Sequence, residues 1–198
     1  KYWQNSSLKM ANKIIFMGTP LFCVPILKSL HQNDFNIVAV YTQPPQKSHR
    51  GQKINKSPVQ VISETLNIEY RTPKTFKNND GEYKLLKKLD ADLAIVCAYG
   101  QIIPKNFLNL TKKGFVNIHA SILPSWRGAA PIQRSIMNLD SETGISIMKM
   151  NEELDSGPVS NTYKVKIDKN QNAQEISEKL SSLAAEKILD NVDDILED

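Results

Sequence analysis

KIIFMGTPLFCVPILKSLHQNDFNIVAVYT, Lys13 to Thr42, reads as a strand, a helix and a second strand. Lys13 to Met17 and Ile37 to Thr42 are short, nearly continuous apolar runs, which suit strands covered on both faces. Between them Val24 to Leu30 has helical spacing, and Pro25 is tolerated where a first helical turn begins. A strand, a helix and a strand in that order form a crossover unit, and further such units extend a parallel sheet.

Working outward, Ile68 to Arg71, Leu93 to Cys97 (LAIVC) and Phe115 to His119 (FVNIH) read as further strands. Ser57, Pro58 and Gln60 supply an N-cap, an N1 proline and a capping-box glutamine for a helix over Pro58 to Leu66. Asp80 is placed to cap a helix over Gly81 to Leu89, and Pro131 to Leu139 reads as another. Thr143 to Met150 and Val159 to Lys166 read as a strand pair added at the far edge, and Ala173 to Leu196 as an amphipathic helix on the sheet. The expected fold class is α/β: a doubly wound, mostly parallel sheet with helices on both faces and an added C-terminal strand pair.

The 198 residues, 40% hydrophobic and 23% charged, describe one globular unit large enough to bury a core. Residues 1–10 read as a tag or upstream segment, leaving 11–198 as the folded domain. Cys23 and Cys97 sit in apolar surroundings and read as free thiols, with neither a disulfide framework nor a metal site expected. With no long apolar run and no hydrophobic leader, no membrane is expected and a cytoplasmic protein is. The net charge is +4, but residues 1–150 hold 20 of the 25 Lys and Arg and only 9 of the 21 Asp and Glu. A cationic body with an acidic end suits a polyanionic partner.

Several segments bear on chemistry. Asn117 and His119 stand two apart on a strand, so both side chains leave on one side. A neutral donor beside a group that titrates near neutrality is what transfer of an acyl or formyl group between amines requires. Asp155, in Leu154-Asp155-Ser156-Gly157, is the acid best placed to orient that imidazole, although such a sequence is also an ordinary turn. Ala98-Tyr99-Gly100-Gln101 follows the fourth strand at its carboxyl end, where open α/β sheets bind ligands. Gly18-Thr19-Pro20 could face an anion or be a tight turn, and it has neither dinucleotide nor P-loop spacing, so neither NAD nor ATP is expected. Gln43 to Lys56 carries Lys47, Arg50, Lys53, Lys56 and His49 with no acid, which suits phosphate contacts as well as a solvated loop.

In this order IIFMGTP, YTQP with a basic R-G loop, SPV, AYG, NIHASILP, WRGAAPI and LDSG resemble the formyltetrahydrofolate-dependent formyltransferase family over Lys13 to about Lys166. The resemblance implies a Rossmann-like catalytic domain that passes the formyl group of 10-formyltetrahydrofolate to the amino group of initiator methionyl-tRNA. By that resemblance Asn117, His119 and Asp155 are catalytic. The folate co-substrate is expected on Ala98, Tyr99, Gly100, Gln101, Ile102, Ser121, Leu123 and Pro124, with its pterin between 98–102 and 150–155. Gln43, Gln46, Lys47, Arg50 and Lys53 are expected to meet the tRNA, and a monomer without metal is expected. Gln46 stands near a position where the family commonly has arginine, Pro158 stands where relatives have a further acid, and the family's C-terminal β-barrel domain has no counterpart before Asp198. Other readings are a folate-dependent hydrolase or sugar-amine formyltransferase, a Ser121-His119-Asp155 hydrolase, and a basic RNA-binding module that is no enzyme.

Overall fold

A computed structural model describes residues 11–47 and 54–197. In chain order the strands are β1 (Lys13–Gly18), β2 (Asn36–Tyr41), β3 (Gln46–Lys47), β4 (Ile54–Asn55), β5 (Tyr70–Arg71), β6 (Leu93–Cys97), β7 (Phe115–His119), β8 (Glu142–Lys149) and β9 (Val159–Lys166). The helices are α1 (Val24–Gln32), α2 (Pro58–Thr65), α3 (Asp80–Leu89), α4 (Lys105–Leu108), α5 (Pro131–Met137) and α6 (Ala173–Glu197). Seven strands form one sheet in the order β5-β2-β1-β6-β7-β8-β9. The first five run parallel, and β8 and β9 are antiparallel additions at the edge, as the sequence predicts.

Strand alternation sorts the core into two layers. Ile14, Phe16, Ile95, Val116 and Ile118 point to the face covered by α1, α2, α5 and α6. Ile15, Met17, Ala94, Val96 and Phe115 point to the face covered by α3 and α4. Helix α6 presents Ile176, Leu180, Ala184, Ile188 and Val192, one every four residues and all buried. Each large aliphatic side chain in that stripe contributes roughly 1.5–3 kcal/mol of burial. Ser29 Oγ donates to the Ala185 carbonyl and Ser181 Oγ to the Phe22 carbonyl, which fixes α6 against α1 and the turn before it.

The ends of the elements show where local chemistry wins over pattern. Ser57 caps α2 by accepting from the Gln60 N–H at 2.9 Å. The Gln60 amide does not return the bond: it donates to Glu64 and to the Tyr70 hydroxyl, so only half of the expected capping box forms. Asp80 is not the cap of α3. Asn79 accepts from the Glu82 N–H and its carbonyl takes the Tyr83 N–H, leaving Asp80 inside the first turn. Strand β5 is half the expected length because Asn67 is left-handed and the Ile68 N–H closes helix α2 on the Ser63 carbonyl. Helix α5 stops at Met137, with Leu139 left-handed at φ 58. Within the basic loop, β3 and β4 pair as a two-stranded ribbon the sequence pattern does not announce.

Gly18 gives the turn after β1 its tightness, since a Cβ there would lie 3.0 Å from Cys23 and from Phe16. The neighbouring Thr19 Oγ1 donates to the Tyr99 carbonyl, which ties that turn to the end of β6. Cys23 and Cys97 are free and buried, and the Cys23 thiol donates to the Cys97 carbonyl.

Candidate active site

Asn117 and His119 share the Phe115 face of β7, paired against Met148 and Ser146 of β8. Beyond His119 the chain turns sharply through residues 120–130 before α5 begins. The loop between β8 and β9 folds back over the same face, so Asp155 reaches both residues despite lying 38 positions beyond Asn117. Asn117 Nδ2 donates to Asp155 Oδ1 at 3.2 Å, and His119 Nδ1 stands 3.6 Å from Asp155 Oδ2. The Gly128 N–H donates to the same Oδ2 at 2.7 Å. His119 Nε2 lies 2.9 Å from the Trp126 carbonyl, which only accepts, so Nε2 carries a proton. The His119 and Asp155 side chains are 8% and 9% exposed, so the pair is largely shielded from solvent.

Backbone strain surrounds this cluster. Ala98, Trp126 and Asp155 hold left-handed φ values of 43, 57 and 47, a conformation that costs non-glycine residues about 1–3 kcal/mol and collects at functional sites. The hydrogen bonds to the Asp155 carboxylate and to the Trp126 carbonyl offset that cost. Gly157 is required for a different reason: a Cβ would lie 1.8 Å from the Lys149 carbonyl oxygen, so only glycine lets the hairpin close.

The other expected contact residues divide into exposed and committed groups. Ala98, Gly100 and Ile102 are exposed, Ile102 at 87%, along the carboxyl end of the sheet. Tyr99 is different: its ring is buried against Phe76, so this residue faces the crevice with main chain at most. The Gly100 carbonyl takes the Gln43 amide at 2.8 Å, while Gln101 Nε2 donates to the Pro73 carbonyl and its Oε1 is buried with no partner among the described residues. Ser121 is fully buried and its hydroxyl donates to the Ser125 carbonyl at 2.6 Å. With both imidazole nitrogens turned to other acceptors, Ser121 is not arranged as a nucleophile on His119. The Leu123 N–H donates to Ser146, the Leu123–Pro124 peptide is cis, and Pro124 is exposed.

The segment after Gly100 and the β8–β9 loop lie side by side, joined by an ion pair between Lys105 and Glu152. A groove of about 360 Å³ opens there, lined by Lys105, Leu108, Phe115, Lys149, Met150 and Asn151 among others. It borders the 150–152 wall expected for the pterin but includes none of Asn117, His119 or Asp155. Gln46 and Lys47 are exposed on β3, Gln43 is half-buried beside Gly100, and Arg50 and Lys53 lie outside the described residues. Among the described residues no group of His, Cys, Asp and Glu is arranged to hold a metal ion, and no helix is long and apolar enough to cross a membrane. Sequence reasoning missed Gly128, Ser146, Trp126 and Asp140, whose contributions run through backbone groups or act at one remove.

The family model described as Formyl transferase matches residues 12–192. Methionyl-tRNA formyltransferase of Pelagibacter ubique (strain HTCC1062) is 67% identical over 189 residues, covering 96% of this chain and 61% of that protein. The enzyme of the same name from Agrobacterium fabrum is 48% identical over 172 residues, 86% of this chain and 55% of that protein. The chain therefore spans roughly three-fifths of the length of these relatives. Among solved structures, phosphoribosylglycinamide formyltransferase from Bacillus halodurans superposes with a TM-score of 0.75 at 17% identity, over 89% of this chain and 91% of that one. A formyltetrahydrofolate deformylase from Pseudomonas syringae superposes with a TM-score of 0.71 at 19% identity, over 90% of this chain and 60% of that one. At such identities these two likenesses speak for the fold alone, a Rossmann-like sheet.

Proposed function

The chain belongs to the formyl transferase family, and on that premise we propose that it transfers the formyl group of 10-formyltetrahydrofolate to the amino group of initiator methionyl-tRNA. The acceptor is taken from the relatives' name, which applies to proteins longer than this chain. Residues 11–198 act as the catalytic unit. The observation that carries the reading is the convergence of Asn117 Nδ2, which donates to Asp155 Oδ1, and of His119 Nδ1 on the two oxygens of one carboxylate.

Donors aimed at a negative oxygen before the reaction are what a developing oxyanion needs. The methionyl nitrogen attacks the formyl carbon, and the electron pair of its C=O bond moves onto oxygen. Asn117 and protonated His119 stabilise that oxygen in place of the carboxylate they now face. Asp155, still held by the Gly128 N–H, accepts the proton the amine must shed, directly or through one water. The carbon–nitrogen bond to the folate then breaks, the carbonyl re-forms, and His119 donates a proton to the departing nitrogen. No covalent enzyme intermediate forms in this sequence.

The folate is assigned to the exposed main chain at Ala98, Gly100 and Ile102 and to the facing 150–155 loop, with Ser121, Leu123 and Pro124 shaping the turn beside it. The tRNA is assigned to the cationic loop from Gln43 through Gln46 and Lys47 to Arg50 and Lys53, whose phosphate contacts make affinity fall with salt.

The test supplies 10-formyltetrahydrofolate with methionyl-tRNA, with a small sugar amine, or with water alone. Formyl-methionyl-tRNA as the principal product, lost when Lys47, Arg50 and Lys53 are neutralised together, is the expected result. Release of formate at the same rate with and without the tRNA contradicts it.

A further inference from the structure

His119, on β7, and Asp155, on the β8–β9 loop, are both gripped by one short turn. The Trp126 carbonyl takes the proton on His119 Nε2, and two residues later the Gly128 N–H holds Asp155 Oδ2. The spacing of that turn therefore sets the relation between imidazole and carboxylate. The turn is not held by regular structure, and Trp126 sits in a left-handed conformation at φ 57 that an aromatic residue does not choose unaided.

The first half of the turn is closed by the Ser125 N–H on the Ile122 carbonyl and by Ser121 on the Ser125 carbonyl, and its Trp126 end is held by a further side-chain bond. The Trp126 indole Nε1–H donates to Asp140 Oδ2 at 2.7 Å, and indole has this one donor and no acceptor. The other oxygen of Asp140 accepts from Asn138 Nδ2 at 2.6 Å, and the Asp140 N–H donates to the Ser135 carbonyl at the end of α5. The carboxylate is thus anchored in the rigid end of a helix. Its contact runs through the indole to the carbonyl that orients the imidazole.

We propose that Trp126 and Asp140 are positioning residues for the formyl-transfer step, a clamp that fixes the tautomer and orientation of His119 and its distance from Asp155 without touching either substrate. The inference deepens the proposed function and rests on it for its kinetic part. Its geometric part concerns the ring of His119 alone. Partners that orient metal-bound histidines typically contribute about 10- to 100-fold to activity, and the same scale is taken for this metal-free imidazole.

The experiment compares the parent with Asp140→Ala, Asp140→Asn and Trp126→Phe by two measurements. Steady-state formyl transfer gives kcat and KM for both substrates, and ¹⁵N NMR of the imidazole, with no substrate present, gives the tautomer of His119. Asp140→Ala and Trp126→Phe are expected to lower kcat about 10- to 100-fold with both KM values within about twofold of the parent. Their imidazole is expected to change from a single Nε2-protonated state to a mixture at neutral pH. Asp140→Asn keeps an oxygen for the indole and is expected to recover most of the loss. Trp126→Phe keeps an aromatic ring and removes the N–H, so it carries the test if Asp140→Ala fails to fold. Parent-like kcat and an unchanged tautomer in either folded variant overturn the proposal, as does a loss expressed wholly in KM. If the parent transfers no formyl group to methionyl-tRNA but the tautomer still responds, the clamp stands and the assigned reaction falls.

Discussion

Replacing Gly157 with alanine places a methyl carbon 1.8 Å from the Lys149 carbonyl oxygen and 3.0 Å from its carbon. Neither neighbour is the end of a flexible side chain, so the two backbone segments must separate by more than about 1 Å to reach ordinary contact. Lys149 is the last residue of β8, and its N–H donates to the Pro158 carbonyl at 2.9 Å, a bond this separation breaks. Losing it costs about 1 kcal/mol and the overpacking about 1–3 kcal/mol, so a destabilisation of roughly 2–4 kcal/mol is expected. Asp155 lies two residues upstream and moves with the turn. A displacement of about 1 Å at a catalytic group can cost on the order of a hundredfold in turnover. Urea unfolding followed by far-ultraviolet circular dichroism reads the first effect, and kcat in native buffer reads the second. A variant that unfolds at the parent's midpoint and turns over within twofold of it refutes the reasoning.

Ser57→Ala removes the cap of α2 and is expected to cost about 1 kcal/mol in the same unfolding assay; an unchanged midpoint counts against the cap. Tyr99 has a buried hydroxyl without a partner among the described residues, and burial pushes its phenol well above the usual value. Tyr99→Phe is therefore expected to be neutral or to stabilise by up to about 1 kcal/mol, and a clear loss of stability would reveal a partner for that oxygen. The Glu64 carboxyl is held at about 2 rather than 4.5 by hydrogen bonds from Lys56, Tyr70 and Gln60. Because the folded value is the lower, its contribution to stability is present above about pH 4.5 and is lost as pH falls from there through about 2. Lys56→Met is expected to move the Glu64 titration upward in side-chain carboxyl NMR, and an unmoved titration contradicts the assignment of its cause.

The parallel core was legible because its strands are short runs dominated by apolar residues. LAIVC and FVNIH need no tertiary information to be read as buried strands, and their bounds match β6 and β7 to the residue. Boundaries fixed by hydrogen-bond competition were not legible. Asn79 outcompetes Asp80 for the cap of α3 only because its carbonyl and its side chain both serve the same turn. Helix α4 is four residues long and leaves no periodic trace. At the site, Asn117 and His119 can be placed on one side of β7 from alternation alone, whereas the approach of Asp155 needs a hairpin loop folded back over the sheet. The roles of Gly128 and Trp126 pass through an N–H and a carbonyl that every residue possesses, so side-chain chemistry gives no sign of them. The indole of Trp126 and the carboxylate of Asp140 are distinctive residues, but nothing in their spacing declares that they meet.

The central claim is that Asn117, His119 and Asp155 act as one unit on a single formyl carbon. Single-turnover transfer from 10-formyltetrahydrofolate to methionyl-tRNA, measured for Asn117→Ala, His119→Ala, Asp155→Asn and the double variant Asn117→Ala with His119→Ala, tests it most directly. Each single change is expected to slow the chemical step by roughly a hundred- to a thousandfold, and the double change by much less than the product of the two. Parent-like rates in any of the single variants, or losses that multiply independently in the double variant, contradict it.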